Sequence, residues 1–185
     1  MQLNTKLKKE KININHVLIS NKPISDFYIA HQSIEGTGNL GSSSIRKPID
    51  KNPSKKISMN SVSLEDFLKS KEIDTESQLA LWIDVEGSGF EVLESINRKS
   101  KQISLLHIES ELKQRWTGQK LKKDVIELCI KYELKFSCHS FHDSQQDLIF
   151  ISKEIYHKHK FRIKLVILFT KLFGPSSSRI LQVLQ

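Results

Sequence analysis

The residues best placed to do chemistry are three carboxylates, each set where an apolar run stops. Asp84 and Glu86 end the run LALWIDVEG, residues 79–87, and Glu109 ends ISLLHIES, residues 103–110. A continuous apolar segment of this length reads as a strand buried on both faces of a parallel sheet. In open α/β sheets, ligands bind beyond the carboxyl ends of such strands. If the two strands are neighbours, three acids share one rim. There they could accept hydrogen bonds from a ligand's amine or hydroxyl groups. They could also bind a divalent cation, with His107 as an added ligand. A third reading is structural, with Glu86 at the positive end of the helix that follows. For a cluster, the structural reading is the weaker one, because burying several acids without partners is costly. His107 lies between Leu106 and Ile108 and reads first as a core histidine.

The elements that must position these residues follow from pattern. ININHVLIS (12–20) alternates and is rich in β-branched residues, which predicts a strand; SDFYIAH (25–31) predicts a second, and ISMNSV (57–62) a short third. The polar stretch LNTKLKKEK before them reads as the end of a helix. SLEDFLKSKEI opens with Ser63 and Asp66, residue types of a helix N-terminus. After the first apolar strand, SGFEVLESINRKS spaces Phe90, Leu93 and Ile96 as a helix does. GQKLKKDVIELCIKYEL predicts a further helix with Leu121, Val125, Leu128 and Tyr132 inside, and KFSCHSF and DLIFIS predict two final strands. Alternating strands and helices argue for an α/β fold with a largely parallel sheet, whose closely spaced last strands form an antiparallel edge. Residues 32–56, rich in Gly, Ser, Asn, Pro and Lys, make a long loop, and loops of this length are commonly functional or disordered.

Other patterns exclude more than they assign. Net charge is +8 with a pI near 9.4, which bears on solubility and on steering toward anions rather than on fold. Basic residues are scattered, and Trp82 and Trp116 form no stacking platform, so nucleic acid is not an expected partner. The N-terminus MQLNTKLKKEK lacks an apolar leader, and the longest apolar run, LVILF, is far too short to span a bilayer. Two isolated cysteines, Cys129 and Cys138, read as reduced thiols of a cytoplasmic protein. No nucleophile elbow, P-loop or HExxH motif occurs. From Lys153 onward there are seven basic residues against one acid, Glu154. Phe161, Leu165, Leu168, Phe169 and Leu172 fall near helical spacing there. Residues 153–173 therefore read as a helix packed on the sheet, or as a basic amphipathic helix contacting a partner or an anionic membrane surface.

The order SVSLEDFL, ALWIDVEGSGFEVLESI, ISLLHIESE, GQKLKKDVIELCIKYELKF, QQDLIFIS resembles that of the FkbM family of S-adenosylmethionine-dependent methyltransferases. The resemblance covers most of residues 12–152. It implies a Rossmann-like class I methyltransferase sheet, mostly parallel with an antiparallel last strand, over residues 1–152, followed by the basic helix and tail at 153–185. It also implies S-adenosylmethionine as cofactor and methyl transfer to a hydroxyl of a small sugar-like acceptor. By position, the resemblance puts Asp84 near the transferred methyl, with Glu86 or Glu109 to orient the acceptor. Leu18 and Ile19 fall where the fold brushes the adenine. Ser42 to Ser44, with Ser43 and Ser44 foremost, resemble a loop bordering the acceptor.

Two departures accompany the resemblance. Where the family often has a second glutamate, this chain has Gly89, which lowers helix propensity by roughly 1 kcal/mol relative to Ala. The family's opening strand, Gly-rich turn and second strand have no counterpart in MQLNTKLKKEK, which implies an N-terminally truncated domain that binds the cofactor poorly by itself. The same absence admits an alternative, a non-catalytic remnant or interaction module completed by another chain.

Overall fold

A computed structural model describes residues 13–30, 43–49, 54–73, 76–139 and 144–173. Strands β1 (Ile24–Ala30) and β2 (Ser54–Asn60) form an antiparallel pair. Helix α1 (Leu64–Ser70) follows, then β3 (Leu79–Ile83), α2 (Gly89–Glu94), a 3-10 turn (Asn97–Gln102) and β4 (Ile103–Glu111). The chain continues through α3 (Lys122–Lys131), β5 (Leu134–His139), β6 (Gln145–Ser152) and α4 (Lys153–Phe173).

The main sheet has the order β3-β4-β6-β5. β3 and β4 run parallel, with Trp82 opposite His107. β6 is antiparallel to β4 on one side and to β5 on the other. Strands β3, β4 and β5 thus run in one direction and only the last strand, β6, opposes them, as expected of a mostly parallel sheet with an antiparallel last strand. The antiparallel strand is not the edge, however. β6 lies inside the sheet, where its Leu148 and Phe150 are fully buried, and β5 forms the edge.

Period-two alternation decides the two faces of the sheet. Leu106, Ile108 and Ser110 of β4 and Leu148 and Phe150 of β6 are buried on one face, joined by Leu93, Ile96, Val125, Leu128 and Cys129 from the helical segments. Each fully buried Leu, Ile or Phe here contributes on the order of 1.5–3 kcal/mol. On the opposite face lie Trp82, Leu105, His107 and Glu109. Trp82 is 74% exposed, and Leu105 is exposed too. Among the described residues, nothing pairs with the outer edge of β3.

Local chemistry sets the helix limits. Ser63 Oγ accepts the Asp66 N–H at 3.0 Å, capping α1, and Ser95 Oγ accepts the Leu64 N–H at 3.0 Å. α3 starts at Lys122, later than its sequence pattern alone, because Gly118 turns the chain at φ +68 and Asp124 accepts the Leu121 N–H at 2.9 Å. α2 stops at Glu94, and Asn97, at φ +46, opens the 3-10 turn in place of continued helix. The strand expected at 12–20 does not form over residues 13–20. Ile19 makes only a single parallel bridge to Val62, and Ile14 is 82% exposed. Asn13, Asn15 and His16 interrupt any apolar face there, so pairing would gain little burial. The helix end expected before residue 12 and most of the 32–56 loop lie outside the described residues. α4 follows β6 without a linker and packs against β5 and β6. No helix among the described residues is long and apolar enough to cross a membrane.

Candidate functional site

The site begins with the turn Asp84–Ser88. β3 ends at Ile83, and the chain must reverse into α2 within a few residues. Gly87 makes this possible with φ +65, a conformation costly for other residues. Trp116, almost fully buried, lies against it, so that a Cβ at position 87 would stand 2.5 Å from Trp116 Cε3. At Gly89 a Cβ would meet Ile108 Cδ1 at 3.2 Å and the Glu109 carbonyl at 3.3 Å. The glycine that departs from the family pattern therefore lets α2 sit directly on β4 beneath the acid rim.

The segment 43–49 closes over this turn. Ser44 is buried; its Oγ donates to the Glu86 carbonyl at 2.5 Å and lies 3.3 Å from Ser88 Oγ. Its backbone exchanges hydrogen bonds with Tyr28 of β1. Arg46 forms an ion pair with Glu91 of α2 and donates to the Thr117 carbonyl at 3.1 Å. Ile49 N–H reaches the Arg115 carbonyl, and Thr117 N–H reaches that of Lys47. β1, the 43–49 segment, the acid turn and residues 115–117 are thereby knitted into one wall.

Two of the three expected acids, Glu86 and Glu109, converge, and Glu111 rather than Asp84 completes the group. Oxygens of Glu86, Glu109 and Glu111 all lie within 4.8 Å of one another. Glu109 and Glu111 share a face of β4 because they are two residues apart. Glu111 is the more buried, at 4% exposure. Burial pushes the Glu86 carboxyl above its ordinary range; Glu109 and Asp84 push the same way, and Arg115 opposes them. Glu109 is raised by burial and by Asp84 and Asp147, against a hydrogen bond from Gln145 and the charge of Arg115. Glu111 is raised by burial, then by Glu109 and Glu86, with Gln119 opposing. Asp84 is exposed at the mouth of the rim.

The remaining candidates fall in different places. His107 is not a member of the acid group; its Nε2 lies 3.2 Å from Asp147 Oδ1, and its ring meets Trp82 edge-on at 4.1 Å. Its Nδ1 is buried without a hydrogen-bond partner, so this is not the fully satisfied core histidine of the first reading. Ser43 and Ser44 border the acid turn. Leu18 and Ile19 lie beside Val62, and neighbouring Asn21 donates to Glu94 at 3.0 Å, at the end of α2 farther from the acids.

Sequence reasoning did not single out Glu111, Arg115, Gln119, Arg46 or Trp116. Glu111 had a signal, the strict alternation His107–Glu109–Glu111 along one strand face. The others come from segments without periodicity.

An α/β sheet whose adjacent parallel strands present acids at their carboxyl ends has the rim at which sheets of this class bind ligands. The sequence model of the Methyltransferase FkbM domain matches residues 2–143, so the chain belongs to that family and is a methyltransferase by family. No curated protein and no solved structure matches it significantly.

Proposed function

We propose that the chain serves S-adenosylmethionine-dependent methyl transfer to a hydroxyl of a small sugar-like acceptor. The observation that carries this reading is the convergence of Glu86 and Glu109 on one rim, inside the family domain and beside the Ser44 wall. S-adenosylmethionine supplies an electrophilic methyl on a sulfonium. The protein's residues must hold the acceptor oxygen in line with that methyl and receive the proton the oxygen gives up. Carboxylates with raised proton affinity suit the second task, and Glu86 and Glu109 both have it. Asp84, exposed at the mouth, fits a contact to the cofactor's hydroxyl or ammonium groups. Leu18 and Ile19 are proposed adenine contacts by family position, and Ser43 and Ser44 acceptor contacts.

The test is transfer of labelled methyl from S-adenosylmethionine to polyol and sugar acceptors, with calorimetry of S-adenosylhomocysteine binding. Transfer that falls at least about tenfold in Glu109→Gln supports the reading. A folded chain that neither binds the cofactor product nor transfers methyl overturns it for this polypeptide.

The outer edge of β3, which no described residue pairs, favours a second reading. There the sheet is completed by a strand from another polypeptide, and the chain alone is an interaction module with weak cofactor affinity. The basic face of α4 is then a surface for a partner or an anionic membrane.

A further inference from the structure

We infer that Glu86, Glu109 and Glu111 form a site for a hard divalent cation. Three features on different elements support it. First, the donors are all carboxylate oxygens, the ligand type that such ions take. They come from the β3–α2 turn and from β4, so the fold rather than local sequence brings them together.

Second, the spacing permits shared coordination: the oxygens lie within 4.8 Å of one another, no wider than ligands on opposite sides of a Ca2+ ion held at about 2.3–2.6 Å.

Third, Gln119 points to a ligand from outside the acid group. It is buried to 7% exposure. Its Oε1 is fixed by the N–H groups of Arg115 and Trp116, at 2.8 and 3.2 Å. That leaves Nε2 turned to the Glu111 carboxyl, yet no acceptor stands at hydrogen-bonding geometry to it. A buried donor held in this way, just short of a carboxylate, completes its bonding when a ligand draws that carboxylate into place or brings an oxygen of its own. Orienting groups of this kind accompany metal-bound carboxylates. The surroundings agree, since Glu86 and Glu109 both stand near Asp84, with the opposing charge of Arg115.

The inference goes beyond methyl transfer and does not need it. A bound cation would occupy Glu86 and Glu109 and lower their proton affinity, so cation binding and the proton-accepting role proposed above are mutually exclusive states of the same two carboxylates. The net charge of +8 also disfavours diffuse cation binding elsewhere on the surface.

The experiment titrates CaCl2 alone into the full chain, stripped with chelator and free of S-adenosylmethionine, by calorimetry and by thermal unfolding. One saturable site and a calcium-dependent rise in Tm are expected. Glu111→Gln should weaken binding at least about tenfold, and Gln119→Leu about 10- to 100-fold. Glu86→Gln, on a turn outside the sheet, repeats the test if Glu111→Gln does not fold. Glu127→Gln, an exposed residue of α3, should leave binding unchanged. Absence of saturable binding overturns the proposal, as does equal binding by the wild type and the folded Glu86→Gln and Glu111→Gln variants. Because the probe is the ion alone, failure of methyl transfer leaves this outcome readable.

Discussion

Gly87 and Trp116 exclude each other's growth: a Cβ on residue 87 would stand 2.5 Å from Cε3 and 2.7 Å from Cδ2 of the indole. The contact joins the acid turn to the 115–117 segment, and it coincides with a positive φ at residue 87. Gly87→Ala should therefore cost about 2–4 kcal/mol, from backbone strain and overpacking together. Chemical denaturation followed by circular dichroism measures it. In the Gly87→Ala/Trp116→Ala double variant the clash is gone. Its loss should be smaller than the sum of the single losses, and additive losses would show that the indole is not the obstacle.

Glu91 holds the 43–49 segment through Arg46. Both side chains are largely buried, at 11% and 18% exposure, so breaking the pair leaves an uncompensated guanidinium. Glu91→Ala should cost about 3 kcal/mol. It should also free the segment for trypsin, which would cut after Arg46, while the Lys47–Pro48 bond stays resistant. Limited proteolysis with mass spectrometry reads this directly, and unchanged protection would separate the ion pair from the closure of the wall.

Without a cation, the acid rim should make the chain more stable in mild acid than at neutral pH. The carboxyls of Glu86, Glu109 and Glu111 are raised above the ordinary value of 4.5 by burial first and, after it, by neighbouring carboxylates, which for Glu109 are Asp84 and Asp147. The folded state thus binds more protons than the unfolded chain between that value and the raised ones. Stability is favoured below the unfolded value and lost as pH rises through the folded ones. Asp26, Glu65 and Asp66 act oppositely. Bonds from Lys56, Lys69 and Ser63 respectively lower them, so their contribution disappears as pH falls further into acid. Denaturation in the presence of chelator should show a maximum on the acid side of neutrality. Glu111→Gln should flatten the neutral limb and raise stability there by about 1 kcal/mol. A maximum that persists unchanged in Glu111→Gln would assign the effect to other groups.

How much of this was legible in the sequence depends on whether position followed from period or from tertiary contact. LALWI and ISLLHIESE announce themselves as buried strands whose ends carry Asp84, Glu86 and Glu109, but that the two strands are neighbours comes only from their pairing in the sheet. α1 to α4 were legible from spacing and from residues such as Ser63. The order of β6 inside β5 was not, because strand order depends on which faces find partners rather than on local pattern. ININHVLIS had the alternation of a strand but too many polar residues to gain from pairing. Arg46, Trp116 and Gln119 belong to aperiodic segments whose roles arise only when β1, the acid turn and β4 are brought together.

The outer edge of β3 should drive self-association. Trp82 is 74% exposed on the open face, beside His107 and Leu105, and no described residue pairs with the strand's outer edge. Natural edges are commonly protected by charge, and lysine is the usual means. Trp82→Lys places that charge on β3 at little cost, because the residue it replaces is mostly in water. The substitution gives up the edge-on contact with His107, worth on the order of 1 kcal/mol. Sedimentation velocity over a range of concentrations should show wild-type association that falls markedly in Trp82→Lys, with unchanged circular dichroism. Equal association of the two proteins would move the adhesive surface away from β3 and weaken the reading in which another strand completes the sheet there.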